Sequence, residues 1–380
     1  MRVGVPREVT PGEKRVPLMA DSVKRLAPKK IDVSIERGAG TGSCVSDDEF
    51  RAGGATVEDS GDALYASSDV VVRLRLPTVE SIARLREGSA LVSPLFPLQA
   101  QNAPLVRALA ERKVTTIAVD MIPRTTVAQM MDVLSSQATI AGYYAVLMAA
   151  AALPKFFPML MTAAGTIAPS RVLILGAGVA GLQAIGTARR LGAVVEAFDV
   201  RRVVKEQVES LGARFVEVDS DEDAQTAGGY AKETSEAYKA KQAEAIARHV
   251  QKADVVISTA LIPGQRAPIL VTEDMVKSMR PGSVIVDLAA EQQGNCALTE
   301  PGKSIVVHGV NILGELDLPS KVAIHASQMY ARNMEKLLLH LCKSDGKDSA
   351  LHLDPENEIT RGCLITHAGD VVHPKVKERL

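Results

Sequence analysis

The sequence predicts an α/β protein of two Rossmann-like domains with mostly parallel sheets, separated by a cleft and joined by long helices. Three observations carry that expectation. Short apolar runs alternate with helix-compatible stretches in two successive series, a Gly-x-Gly-x-x-Gly turn follows one of the runs, and two long helical patterns bracket the second series. With 380 residues the chain also exceeds what one ordinary core organises.

In the first series, Met1 to Val5, Ile31 to Ile35, Asp69 to Leu74, Ala90 to Ser93 and Val114 to Val119 read as strands. Asp21 to Leu26, Asp47 to Ala52 and Asn102 to Arg112 place capping residues before apolar positions at helical spacing, so they read as the crossovers. The second series contributes strands at Val172 to Leu175, Val194 to Phe198, Phe215 to Val218, Asp254 to Thr259 and Val284 to Leu288. Ser304 to Val307 and Val310 to Leu313 extend that sheet. The long helical patterns run from Ser136 to Leu153 and from Pro319 to Leu341, and a polar tail follows with one apolar run, Cys363 to Thr366. The expected division is therefore 1–136 with 330–380 as one domain and 137–329 as the other. Ligand sites in such folds lie beyond the carboxyl ends of parallel strands, which directs attention to the loops after Val119, Leu175 and Thr259.

A net charge of -1 offers no field for nucleic acid or an anionic bilayer, so neither is an expected partner. Cys44, Cys296, Cys342 and Cys363 stand far apart, which suggests neither a zinc site nor a disulfide framework and fits a reducing cytoplasm. The N-terminus lacks the apolar run of a secretory signal. Pro154, Lys155 and Pro158 interrupt the most apolar region, and Ile140 to Leu153 reads as a buried helix with no direct membrane insertion.

The glycine turn is Gly176-Ala177-Gly178-Val179-Ala180-Gly181, placed between an apolar strand and a helix that stops at Gly192. Gly176 makes the turn, Gly178 admits a pyrophosphate, and Gly181 lets the helix pack on the strand, while the helix start offers unpaired N–H groups. Asp199 ends the next strand, where it accepts ribose hydroxyls and repels a 2'-phosphate; this favours NAD(H). Arg201 and Arg202 pull the other way, since guanidinium groups there suit a 2'-phosphate. Gly38-Ala39-Gly40-Thr41-Gly42 lacks the spacing of a second fingerprint, so another dinucleotide would have to bind elsewhere.

Two further segments stay open on residue chemistry alone. Pro123 to Gln137 carries Arg124, Gln129, Asp132 and Ser135, which suit a charge-assisted pair and a carboxamide site, and equally a loop with a surface ion pair. Ala227 to Glu233, with Gly228, Gly229 and Tyr230, reads as a lid or as an ordinary surface loop.

Gly4-Val5-Pro6-Arg7-Glu8, Gly12-Glu13-Lys14-Arg15-Val16 and the stretch from Ile174 to Asp199 together resemble the alanine dehydrogenase and pyridine nucleotide transhydrogenase superfamily. Within it, the Pro123 to Gln137 and Gly228 to Glu233 segments look like those of the soluble NAD(H)-binding alpha component of proton-translocating transhydrogenases. The resemblance implies that Arg124, Asp132 and Ser135 orient the nicotinamide, that Gln129 reaches toward an NADP(H)-carrying partner, and that Tyr230 belongs to a loop closing over NAD(H). Thr125, Thr126, Val179, Ala180, Val200, Arg201, Gly229, Thr259, Ala260 and Leu261 are counted with Gly176, Gly178, Gly181 and Asp199 as cofactor contacts. It also implies a homodimer, a separate NADP(H)-binding component and a membrane-spanning component, with this chain cytoplasmic and peripheral to the inner membrane.

Alanine dehydrogenases of the superfamily use a Lys and a His; the matching stretches, Val71 to Pro77 and Leu91 to Pro97, contain neither. Oxidising an amine needs a base, whereas hydride passage between two nicotinamides does not. Two rivals stay in view: an amino-acid dehydrogenase using Arg73 or Arg75 for a carboxylate, and a non-catalytic NAD(H)-binding regulatory module. His249, His308, His325 and His340 have no acidic neighbours at metal-ligand spacing, and no metal is expected.

Overall fold

The computed structural model describes residues 1–218, 235–261 and 266–380, which form two compact units, 1–137 with 320–380 and 138–319. The sequence division at 136/137 and 329/330 differs most at the second boundary. There the helix Ala323–Leu341 belongs to the first unit from its first turns, because Ser327 Oγ accepts the Val16 N–H at 3.0 Å and lies 2.6 Å from Ser43 Oγ.

The first unit holds an eight-stranded sheet. From one edge it runs Thr56–Glu58, Asp32–Glu36, Arg2–Val5, Val70–Val72, Ala90–Ser93 and Thr115–Ala118, all parallel, then Leu364–His367 and Asp370–Val371, each antiparallel to its neighbour. Alternate residues feed opposite faces: Val3, Val5, Val70, Val72 and Val92 enter one core, while Val71, Leu91 and Ala118 enter the other. Burial on both faces is why these strands read as continuous apolar runs. The supposedly polar tail thus completes the sheet, with the helix Glu358–Cys363 capped by Asn357 leading into the Leu364–His367 strand.

The second unit holds a seven-stranded sheet in the order Arg214–Phe215, Val194–Phe198, Arg171–Leu175, Val255–Ser258, Val284–Asp287, Val310–Leu313 and Ser304–Val307. Only the last strand is antiparallel. Val172, Ile174, Val255 and Ile257 face one core; Leu173, Leu175, Val256 and Ile285 face the other. The expected strand Phe215 to Val218 shrinks to Arg214–Phe215, as befits an edge with one partner.

The helix expected from Ile140 to Leu153 as a buried element is Val133–Ala152, and by length and composition it is apolar enough to cross a membrane. Only 33% of its most apolar stretch is buried. Ala145, Val146 and Ala149 enter the second unit's core, while Leu134 and Tyr143 are exposed. After its end comes a hairpin the sequence did not announce, Leu160–Thr162 with Gly165–Ile167, which exposes Met159, Met161 and Ile167.

Candidate nucleotide site

The strand order of the second sheet reverses between Arg171–Leu175 and Val255–Ser258, and the crevice beyond such a switch point is where doubly wound sheets hold ligands. The glycine turn lies there. Gly176 sits at φ 102°, a conformation that L side chains rarely adopt, and a Cβ on it would lie 2.6 Å from Thr259 Oγ1. A Cβ on Gly181 would come within 1.8 Å of the Gly176 carbonyl oxygen, so only glycine lets the Val179–Arg190 helix approach the turn. No side chain among the described residues caps that helix; its N-cap is Gly178. The first N–H groups are therefore left for an external acceptor, with the positive end of the helix dipole behind them.

These features fit a dinucleotide diphosphate. A Cβ at Gly178 would find nothing nearer than Arg201 Nη2 at 4.0 Å, so the backbone is open to close approach. Asp199, buried at the end of Val194–Phe198, accepts the Ala177 N–H at 2.8 Å and thereby ties the second strand to the turn. Its carboxylate is also forked by Arg201, Nε to Oδ1 at 2.9 Å and Nη2 to Oδ2 at 2.8 Å. Val179 and Leu261 are exposed, and Ala180 and Val200 are partly buried.

The opposite wall has a support that sequence reasoning missed. Thr259 Oγ1 donates to the Gly176 carbonyl at 3.0 Å. Ala260 is held by Asn295, whose Oδ1 accepts the Ala260 N–H at 3.1 Å while Nδ2 donates to the Ala260 carbonyl at 2.8 Å. Asn295 is set in turn by Asp287, which is buried and accepts the N–H groups of Ala289, Asn295 and Cys296 and the hydroxyls of Ser258 and Thr299, at 2.6 to 3.0 Å. Gly142 is a second omission: a Cβ there would meet the Ala180 carbonyl oxygen at 2.0 Å, so glycine allows the Val133–Ala152 helix to abut the start of the fingerprint helix.

In the first unit, the Pro123 to Gln137 segment follows the Thr115–Ala118 strand and a short 3-10 turn, Val119–Met121. Asp132 caps the long helix: Oδ1 accepts the Ser135 N–H at 2.9 Å and Oδ2 accepts the Ser135 hydroxyl at 2.6 Å. The N-cap is thus Asp132, and Ser135 is oriented by it. Gln129–Met131 forms a 3-10 turn pinned by Asn333, whose Nδ2 donates to the Met130 carbonyl at 2.8 Å. Arg124, Thr126 and Gln129 are exposed, Thr125 is partly buried, and Val127 and Met130 are 69% and 55% exposed beside them. Gly228, Gly229 and Tyr230 lie outside the described residues.

The arginines considered for a carboxylate substrate already have carboxylates. Arg73 Nη2 donates to Glu8 at 2.8 Å with both side chains buried, and Arg75 Nε donates to Glu13 at 2.6 Å. Burial alone would raise the Glu13 pKa, but the hydrogen bond and charge of Arg15, with Ser320 and Arg75, outweigh it and hold the group at about 2. Within Leu91 to Pro97, the exposed Phe96 takes a left-handed φ of 44°, its N–H donating to Asp120 at 3.0 Å. His249 Nδ1 lies 2.7 Å from Glu196 Oε2 on the second unit's surface, an acidic partner that sequence spacing did not reveal. Among the described residues no cluster of three His, Cys, Asp or Glu is placed to hold a metal.

Comparison with known proteins supplies the context. Residues 4–141 match the family described as "Alanine dehydrogenase/PNT, N-terminal domain", and residues 145–374 match "Alanine dehydrogenase/PNT, C-terminal domain". The chain is 45% identical to NAD(P) transhydrogenase subunit alpha of Cereibacter sphaeroides, over 98% of this chain and 71% of the other. It is 28% identical to an alanine dehydrogenase of Mycobacterium tuberculosis, over 99% of this chain and 96% of the other. A solved structure, the transhydrogenase from Sinorhizobium meliloti, superposes with a TM-score of 0.88 at 43% identity, covering 98% of this chain and 100% of that one. The fold, the glycine turn and these likenesses agree: the chain belongs to the alanine dehydrogenase/PNT family, in its transhydrogenase alpha-subunit branch.

Proposed function

We propose that this chain seats NAD(H) in the second unit's crevice and presents the nicotinamide for direct hydride transfer with NADP(H) held on a separate subunit, coupled to proton movement in a membrane-spanning one. The observation that carries the reading is the uncapped helix start behind Gly176 and Gly178, walled by Asp199 and by the Thr259–Ala260 segment. When bound, NAD(H) supplies a hydride at nicotinamide C4. Positioning is what the protein contributes, because no O–H or N–H bond breaks and no base is needed.

In this reading the backbone of Gly178, Val179 and Ala180 binds the diphosphate, and Asp199 selects the ribose. Arg124, Asp132 and Ser135 orient the carboxamide, Ser135 being preset by its two bonds to Asp132. Gln129 reaches the partner's nucleotide, and the exposed apolar Val127 and Met130 beside it suit a docking protein. The charges of Arg73 and Arg75 are already met by Glu8 and Glu13, which weighs against an amino-acid dehydrogenase that relies on them to attract a substrate carboxylate. A homodimer is supported by the apolar surface of Met159 just before the hairpin, Met161 and Ile167 on it, and Tyr143 on the long helix. The chain works at the cytoplasmic face of the inner membrane through its partners.

The test is reconstitution with a transhydrogenase NADP(H)-binding domain, following hydride transfer from NADH to an NADP+ analogue. Arg124→Ala and Gln129→Asn should each slow transfer by about tenfold or more, as expected when reacting groups lose their alignment. Equal rates in both variants would remove their roles. Oxidation of L-alanine by the chain alone would instead identify a dehydrogenase, and NADH binding without any transfer a regulatory module.

A further inference from the structure

The ribose role given to Asp199 meets a geometric obstacle. Oδ1 accepts the Arg201 backbone N–H and Arg201 Nε, both at 2.9 Å. Oδ2 accepts the Ala177 N–H and Arg201 Nη2, both at 2.8 Å. A carboxylate offers about four lone-pair positions, and all are taken. Two of the donors are backbone groups fixed by the strand end and the glycine turn. The other two belong to one side chain that can rotate away. That side chain also reaches over the turn, where its Nη2 is the nearest atom to the open side of Gly178, at 4.0 Å from an ideal Cβ.

Resting on the reading of this crevice as the NAD(H) seat, we propose that Arg201 is a displaceable counter-ion of Asp199: ribose hydroxyls take its two places on the carboxylate, and the guanidinium moves to the diphosphate beside Gly178. On Asp199 the exchange conserves hydrogen bonds. Two N–H donors leave Asp199 and two O–H donors replace them, while the guanidinium trades one anion for another. Without nucleotide, the fork spares a buried carboxylate from standing uncompensated.

The exchange also accounts for selectivity in a way charge alone does not. The Asp199–Arg201 pair is neutral as a unit, so simple repulsion of a 2'-phosphate is largely cancelled. A 2'-phosphate fails because it brings acceptors to a carboxylate that needs donors, and it attracts the guanidinium that should leave. Arg201 is thus a specificity-determining and phosphate-binding residue, acting after release from Asp199.

A ligand ladder tests this. Adenosine, ADP, NADH and NADPH are titrated by calorimetry, adenosine by displacement of NADH, into the full chain and into Arg201→Ala, Arg201→Lys and Asp199→Asn, with circular dichroism as a check on folding. Arg201→Ala should weaken ADP and NADH by about tenfold, the scale of one charge-assisted hydrogen bond, while adenosine binds equally well or more tightly. Arg201→Lys should recover part of the ADP loss. Asp199→Asn should lose adenosine and shift preference toward NADPH. Equal weakening of adenosine and ADP in Arg201→Ala would show that Arg201 merely props Asp199, and unchanged ADP binding would show that it never reaches the phosphates; either overturns the proposal. Should the unaltered chain bind none of the four, the nucleotide site itself would fall, a failure distinct from either.

Discussion

The two units build their parallel strands in one order and use it oppositely. Reading from the edge, each runs third, second, first, fourth and fifth in its own chain order, so each has a switch point beside its first strand. In the second unit only Gly176-Ala177-Gly178 separates that strand from the Val179–Arg190 helix, whose first N–H groups have no side-chain cap among the described residues. In the first unit the chain leaves Val5 through Pro6-Arg7-Glu8, and the next helix waits until Ala20. Glu8 then turns back into the crevice, accepting the Leu74 N–H at 2.7 Å, the Arg75 N–H at 3.1 Å and the Arg73 guanidinium. One crevice leaves its helix start without a side-chain cap; the other is occupied by its own carboxylate. A shared scaffold therefore says little about binding until the loop after its first strand is read.

The largest expected effect comes from breaking the closed half. Glu13→Gln leaves Arg15 and Arg75 without their common carboxylate, and severing a buried ion pair costs about 3–5 kcal/mol. The pH dependence follows from the depressed pKa. The folded value of about 2 lies below the ordinary value of 4.5, so the stabilisation is complete above the unfolded value and is lost as pH falls from 4.5 toward 2. Its size is on the order of 3 kcal/mol. Thermal melts should show a large gap between Glu13→Gln and the unaltered chain at pH 7 that narrows steadily below pH 4.5. A gap that stays constant with pH would separate Glu13 from the acid response. NADH affinity at pH 7 should not change, since this cluster serves its own unit.

The open half should fail in the reverse sense. Gly181→Ala inserts a methyl where 1.8 Å separates it from a carbonyl oxygen, so the helix must move off the glycine turn proposed to seat the diphosphate. Overpacking strain of about 2–3 kcal/mol lowers the stability of the fold, and a helix start moved off the turn should weaken NADH by about tenfold, the scale of one charge-assisted hydrogen bond, with far-ultraviolet dichroism preserved. Titration of the folded variant with wild-type affinity would mean that the phosphates are held elsewhere.

How much of this was legible depended on the distance over which a residue finds its partner. The strands declared themselves because Val70-Val71-Val72 and Val172-Leu173-Ile174-Leu175 are buried on both faces, which forces uninterrupted apolar runs. The fingerprint was legible because turn, helix and acid lie within one βαβ unit. Thr56–Glu58 escaped as a three-residue edge strand, and the Leu160–Thr162 hairpin because its exposed apolar residues follow no core periodicity. The plug in the first crevice could not be read: Glu8 meets Leu74 across 66 positions, and Glu13 meets Ser320 across 307. Asn295, 35 positions from Ala260, is the same case beside the glycine turn. Asp199 was recognised, but its fork with Arg201 is a side-chain geometry that no spacing encodes.

The smallest effect tests whether burial, and not charge pairing as such, sets the difference between the halves. His249 and Glu196 meet at 2.7 Å in the open unit, a distance like those of the Glu13 contacts, yet both are partly exposed, and the contact is an ion pair only when the imidazole is protonated. Exposed pairs contribute about 0–1 kcal/mol because water competes for each partner and salt screens the remainder. Glu196→Gln should therefore shift the thermal midpoint by no more than about 2 °C and should leave NADH affinity unchanged, since neither residue borders the glycine turn. The small shift should also fade in roughly 0.5 M salt, whereas the Glu13→Gln deficit should persist there, its partners being shielded from ions. A Glu196→Gln deficit as large as that of Glu13→Gln would mean that contact distance governs both pairs and that the buried cluster owes nothing special to its dry surroundings.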